Sequence, residues 1–99
     1  MTPLTREQAE QVFDILTETC GASDFWRESF VRDQSTAYAT EWRFQGALGF
    51  GGKFRRSDYP QPRVYVDCYP EDATPARKKM IAAANAALCQ VVVAIRGEE

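Results

Sequence analysis

The spacing of apolar positions along this chain changes twice, and each change marks a new element. From Arg6 to Thr19 the apolar residues keep helical spacing. Ala9, Val12, Phe13, Leu16 and Cys20 stand at i, i+3, i+4, i+7 and i+11 and form one stripe. Thr5 with Gln8 three residues on reads as a capping box, Glu7 and Glu10 suit the positive end of the helix dipole, and Gly21 fits a left-handed stop. From Thr36 the spacing falls to two. A first strand over Thr36–Gln45 puts Tyr38, Thr40, Trp42 and Phe44 on one face and Ala39, Glu41, Arg43 and Gln45 on the other. A turn at Gly46-Ala47 leads to a second strand, Leu48–Arg56, with Leu48, Phe50, Gly52 and Phe54 inward and Gly49, Gly51, Lys53 and Arg55 outward. Ser57–Pro62 is a loop, because Pro60 and Pro62 cannot donate to a ladder. A third strand, Arg63–Tyr69, turns Val64, Val66 and Cys68 inward and Arg63, Tyr65, Asp67 and Tyr69 outward, and Pro70 ends it. Helical spacing then returns. Thr74-Pro75 opens a second helix as cap and first-turn proline, and Ile81, Leu88, Val92 and Ile95 mark its stripe as far as Arg96, with Gly97 as the stop.

The stretch Ala22–Ser35 does not declare itself. Ser23 or Asp24 could cap a short helical piece over Phe25–Val31. Phe25, Trp26, Phe30 and Val31 are too apolar for a plain surface loop, so the segment reads either as a linker plugging one end of the core or as an exposed aromatic contact. The expected order is α-β-β-β-α within one domain spanning residues 1–99. That predicts an α+β two-layer sandwich, a three-stranded antiparallel sheet with both helices on one face. The opposite face is left open.

Composition narrows the functions. Hydrophobic residues make up 44% and charged residues 26%, an ordinary globular balance, and the net charge of −2 counts against a dedicated nucleic-acid binder. There is no histidine, and Cys20, Cys68 and Cys89 form no Cys-x-x-Cys pair, so a structural zinc site and nucleophilic catalysis through a base-activated thiol both lack their parts. The glycines at 46, 49, 51 and 52 do not make a phosphate loop, since Ala47 stands where the first glycine belongs and Phe54 replaces the hydroxyl residue. No metal, cofactor or enzymatic activity is expected. No apolar run is long enough for a membrane span, and a cytoplasmic protein is expected.

The open face carries the candidate site: Arg43, Lys53, Arg55, Arg63, Tyr65 and Tyr69. Four cations there outnumber Glu41 and Asp67, giving +2 in a chain whose total is −2. Tyrosines among basic side chains can recognise a protein, a base or an acidic ligand. The competing reading is a solvated face with cross-strand pairs such as Glu41 with Lys53. Arg77, Lys78 and Lys79 form a second candidate, because cations in the first turns of a helix oppose its dipole.

The α-β-β-β-α order, with Arg77, Lys78 and Lys79 opening the run Ala82-Ala83-Ala84-Asn85-Ala86-Ala87-Leu88, is similar to the double-stranded-RNA-binding domain. That resemblance implies phosphate contacts by the basic run. The segments Glu41–Phe54 and Tyr69–Pro75 look like small uncharacterised proteins of actinobacteria and their phages. This second resemblance implies a bacteriophage setting, the host cytoplasm, and action by binding and modulating a host protein. The expected function is therefore protein binding through the open sheet face, with a homodimer as one form of partner and nucleic-acid binding through helix 2 as the alternative.

Overall fold

The computed structural model describes residues 3–33, 36–57 and 61–91, with side chains for all of these except 30–33, 36–39 and 48. In chain order the elements are α1 (Arg6–Cys20), β1 (Asp24–Asp33), β2 (Thr36–Gln45), β3 (Gly51–Ser57), β4 (Arg63–Cys68) and α2 (Pro75–Ala87), with short 3-10 turns at Ala47–Gly49 and Pro70–Asp72. The protein is α+β, with one open antiparallel sheet of strand order β1-β2-β3-β4 and two helices.

The sheet has four strands where the chain pattern predicts three. The unassigned stretch is β1, neither linker nor helical piece. Asp24 does not cap a helix. Its carboxylate accepts from the Phe25 N–H at 2.9 Å, and the Ser23 N–H donates to the Gln45 carbonyl at 2.8 Å, which starts the hairpin ladder. Pairing then sets Phe25 against Phe44, Trp26 against Arg43, Arg27 against Trp42 and Glu28 against Glu41. The register is regular to Phe30 and slips between Phe30 and Val31 and again before Asp33.

The other bounds shift less. The predicted second strand loses its start, because Ala47–Gly49 closes a 3-10 turn with Gly49 at φ 77°. The third strand ends at Cys68, and Tyr69 instead caps the Pro70–Asp72 turn. The regular span of α2 stops at Ala87, earlier than expected; a turn at Leu88 follows and the backbone is helical again to 91. The expected continuation through Val92 and Ile95 to Arg96, with Gly97 as the stop, lies outside the described residues, as do Pro60 and the side chains of Phe30, Val31, Tyr38, Ala39 and Leu48.

Both helix starts follow their capping chemistry. The Thr5 hydroxyl accepts from the Gln8 N–H at 3.2 Å while Gln8 Oε1 accepts from the Thr5 N–H at 3.0 Å. Thr74 accepts from the Arg77 N–H at 3.2 Å, with Pro75 in the first turn. Gly21, at φ 62°, ends α1 in the left-handed conformation that side chains resist, and its N–H donates to the Leu16 carbonyl.

One core joins the layers. Val12 and Leu16 of α1, Ile81 and Ala84 of α2, and Leu88 at its C-terminal cap meet Trp42, Phe44, Phe54, Val64 and Val66 on the sheet's inner face. Phe13 stacks on Phe25 with ring centroids 4.5 Å apart, which ties α1 to β1. A further clip ties α2 to the edge strand β4. Asn85 Oδ1 accepts from the Val66 N–H at 2.9 Å, and Asn85 Nδ2 donates to the Val66 carbonyl at 3.1 Å. Both helices thus pack on the inner face, and the outer face is where the candidate site falls.

Candidate functional site

Period-two geometry carries one side chain in two from each strand to the outer face. β1 places Asp24, Trp26 and Glu28 there, β2 Glu41, Arg43 and Gln45, β3 Gly51, Lys53 and Arg55, and β4 Arg63, Tyr65 and Asp67. Tyr69 joins them from just beyond β4, its ring lying against the bare backbone of Gly51, where an added Cβ would sit 3.1 Å from the ring. All six residues predicted for the site are therefore on one surface.

That surface is a lattice of cross-strand pairs. Glu41, only 5% exposed, lies 3.4 Å from Lys53 Nζ and 3.9 Å from Arg55 Nη1. Glu28 Oε2 lies 2.7 Å from Arg43 Nε, off the N–H axis, so the contact is an ion pair without a hydrogen bond. Arg55 Nε donates to the Tyr65 hydroxyl. The guanidinium carbons of Arg55 and Arg63 lie 5.4 and 5.3 Å from the Tyr65 ring centre, and that of Arg43 lies 5.8 Å from the Tyr69 ring. Such contacts hold long cations in fixed positions over a rigid sheet.

Two findings change the expected picture of the face. β1 adds Asp24 and Glu28 to Glu41 and Asp67, so four acids meet four cations and the predicted excess of +2 disappears. β1 also adds Trp26, which at 37% exposure is the exposed large hydrophobic residue among those described. Both were hidden with the strand that carries them. The signal was the alternation of Asp24, Trp26 and Glu28 with Phe25, Arg27 and Ser29.

The basic run at the start of α2 is split. Arg77 is half-buried, with Nη1 3.0 Å from Asp72 Oδ1 and its guanidinium 5.6 Å from the Phe50 ring. Asp72 also accepts from the Gly51 N–H at 3.2 Å, so this cation helps fix the chain between β4 and α2. Lys78 and Lys79 are exposed and make no ion pair among the described residues. They stand on the helical layer, away from the sheet's outer face.

No family model, curated protein or solved structure matches the chain. Among the described residues no group of three or more Cys, Asp or Glu is placed to hold a metal. No helix among them is long and apolar enough to cross a membrane. A cleft of about 330 Å³ opens between the end of α1 and the start of α2, lined by Thr19, Cys20, Ala47, Arg77 and Met80 among others. Its walls are mostly apolar, and its one charged side chain already serves Asp72.

The cysteines are unpaired, with Cys20 buried, Cys68 half-buried and Cys89 exposed. Burial pushes the Cys20 thiol above its ordinary value; a Thr19 hydrogen bond opposes this, and nearby Cys68 adds to it. Because the thiolate is the reacting form, alkylation at neutral pH is expected to modify Cys89 at once, Cys68 slowly, and Cys20 only after denaturant is added. Mass spectrometry of timed iodoacetamide reactions checks the order. Labelling of Cys20 at the rate of Cys89 would show that the core does not seal it.

Proposed function

We propose that this protein works by binding, and that the outer face of the sheet is its docking surface for another protein. The observation that carries this reading is the pattern of that face. Trp26, Tyr65 and Tyr69 alternate with Arg43, Arg55 and Arg63 over a sheet that the helices cover only from behind. Aromatic and arginine side chains dominate the energetics of protein interfaces: the aromatics bury a large area with few rotamers to freeze, and arginine brings a planar group of five donors on a long side chain that is costly to order. Here the cross-strand pairs have already ordered the arginines, which lowers the entropy lost on docking. The resemblance of Glu41–Phe54 and Tyr69–Pro75 to phage-encoded proteins suggests a host protein as the partner.

The test is affinity capture from an actinobacterial lysate with wild type and an Arg63→Ala/Tyr65→Ala double variant. This pair is preferable to reversing Arg55, which would set an acid against the buried Glu41. Both substitutions lie on the outer face, so the melting temperature should move by only a few degrees. A partner held by wild type and released by the variant supports the face. A partner held equally by both rules it out.

A second reading keeps one observation in its favour, the exposure of Lys78 and Lys79 without ion-pair partners among the described residues. If those lysines, with Arg77, contact nucleic acid, binding must weaken steeply with salt as counterions are released. Nuclease added to half of the capture samples separates the two readings.

A further inference from the structure

The two edges of the sheet are not alike. At β4 the Val66 N–H and C=O are both taken by the Asn85 amide, so that edge is closed where it would otherwise invite another strand. At β1 the guard is slighter: among the described residues only the Phe25 N–H is occupied on that edge, by the carboxylate of its neighbour Asp24. From Asp24 to Phe30 the strand runs in unbroken register with β2, and it holds no proline or lysine. Its Phe25 N–H is taken by Asp24, 2.9 Å away, which shows that the backbone groups of Phe25 face away from β2. By alternation those of Arg27 and Ser29 do as well, and no partner for them lies among the described residues. Trp26 stands within this segment, two residues from its start, with 37% of its surface exposed.

We infer that β1 pairs antiparallel with β1 of a second copy, about a two-fold axis at Trp26, and joins two four-stranded sheets into one of eight strands. The asymmetry of the edges limits the assembly. A subunit open at both edges can add copies without end, whereas one with a single open edge pairs only with itself and stops at the dimer. The location of the axis follows from chemistry. Side chains facing each other across a ladder share a face, so the axis of a self-paired strand passes through a residue. An axis at Arg27 would oppose two arginines, and one at Glu28 two glutamates. An axis at Trp26 opposes two tryptophans and sets Phe25 against Arg27 of the second copy at both ends, where the Phe25 N–H exchanges the Asp24 carboxylate for the Arg27 carbonyl of the second copy. Asp24 then faces Glu28 of the second copy, and Arg43, 2.7 Å from Glu28, offsets that repulsion.

Centred on Trp26, the ladder pairs Asp24–Glu28 of one copy with the same five residues of the other and is only about 17 Å long, so the dimer belongs to the weak class and forms as concentration rises. Sedimentation of wild type should show monomer and dimer in exchange and nothing larger. The axis is tested by crosslinking in a Cys89→Ser background. Trp26 pairs with its copy at a non-hydrogen-bonded position, where Cα atoms approach to about 4.5 Å, within disulfide range. Trp26→Cys should therefore crosslink under mild oxidation, while Glu28→Cys, facing Asp24 of the second copy, should not. Trp26→Lys should remove the dimer and leave the melting temperature nearly unchanged. A monomer at the highest soluble concentration, or equal crosslinking of the two cysteine variants, overturns the proposal. The Arg63→Ala/Tyr65→Ala variant should dimerise as wild type does, which separates this edge from the docking face.

Discussion

Gly52→Ala is expected to lower the melting temperature by at least 12 °C or so, corresponding to about 3 kcal/mol or more in a domain of this size. Gly52 sits in β3 between Phe44 of β2 and Cys68 of β4. A Cβ built there would lie 2.5 Å from the Asp67 carbonyl oxygen and 2.6 and 2.7 Å from two carbons of the Phe44 ring. The ring has no room to yield, being fully buried and packed edge-on against Phe50 with centroids 5.8 Å apart. The carbonyl belongs to the neighbouring strand, so the ladder itself must move. Gly49→Ala is the control. Nothing lies within 4 Å of its added Cβ, and only the φ of 77° is strained, which costs about 1–2 kcal/mol. Thermal melts of the two variants decide the matter. A Gly52→Ala protein that melts with wild type would mean that β4 and Phe44 do not approach as closely as described.

Asn85→Ala is the second large effect, expected to cost about 2–4 kcal/mol because it strands a donor and an acceptor of one peptide together. Val66 is fully buried, and both of its backbone groups bond to this one amide, at 2.9 and 3.1 Å. Asn85→Asp should recover only part of the loss, since a carboxylate can accept from the Val66 N–H but cannot donate to its carbonyl. Hydrogen exchange gives a reading that a general loss of packing would not. The Val66 amide should exchange slowly in wild type despite belonging to an edge strand, and become selectively fast in Asn85→Ala. Fast exchange in wild type would show that the clip does not hold. The variant also opens the second sheet edge, so it should associate beyond the dimer at concentrations where wild type does not.

How far the chain pattern reaches can be seen element by element. α1 is legible because three independent signals agree on it: the Thr5/Gln8 box, the stripe from Ala9 to Cys20, and Gly21. The strands from Thr36 onward are legible because their inner positions are consistently large and apolar. β1 is not, because it lies at the sheet's edge. After Phe25 its inner positions are Arg27 and Ser29, and its aromatic Trp26 points outward, so adjacent Phe25 and Trp26 look like a cluster when they are in fact two faces. The candidate site shared this fate. Its members on β2 to β4 could be placed from alternation alone, but its charge balance and Trp26 depend on a strand that only tertiary pairing reveals. Asn85 left a faint mark, a poor helix former inside an alanine run, but its use depends on an approach to Val66 that sequence spacing does not encode.

The balance of charge on the outer face bears on how a partner would find it. Four cations interleaved with four acids cancel within a few ångströms, so the face projects little field beyond the first layers of water. Encounter would then rely on unbiased diffusion, at roughly 10⁵–10⁶ M⁻¹ s⁻¹ rather than the faster steered rates of oppositely charged pairs. Added salt would leave that association rate nearly flat. Selection among partners would come after contact, through how long each complex survives, as the partner's own charges either match the alternating rows of the sheet or fall against them.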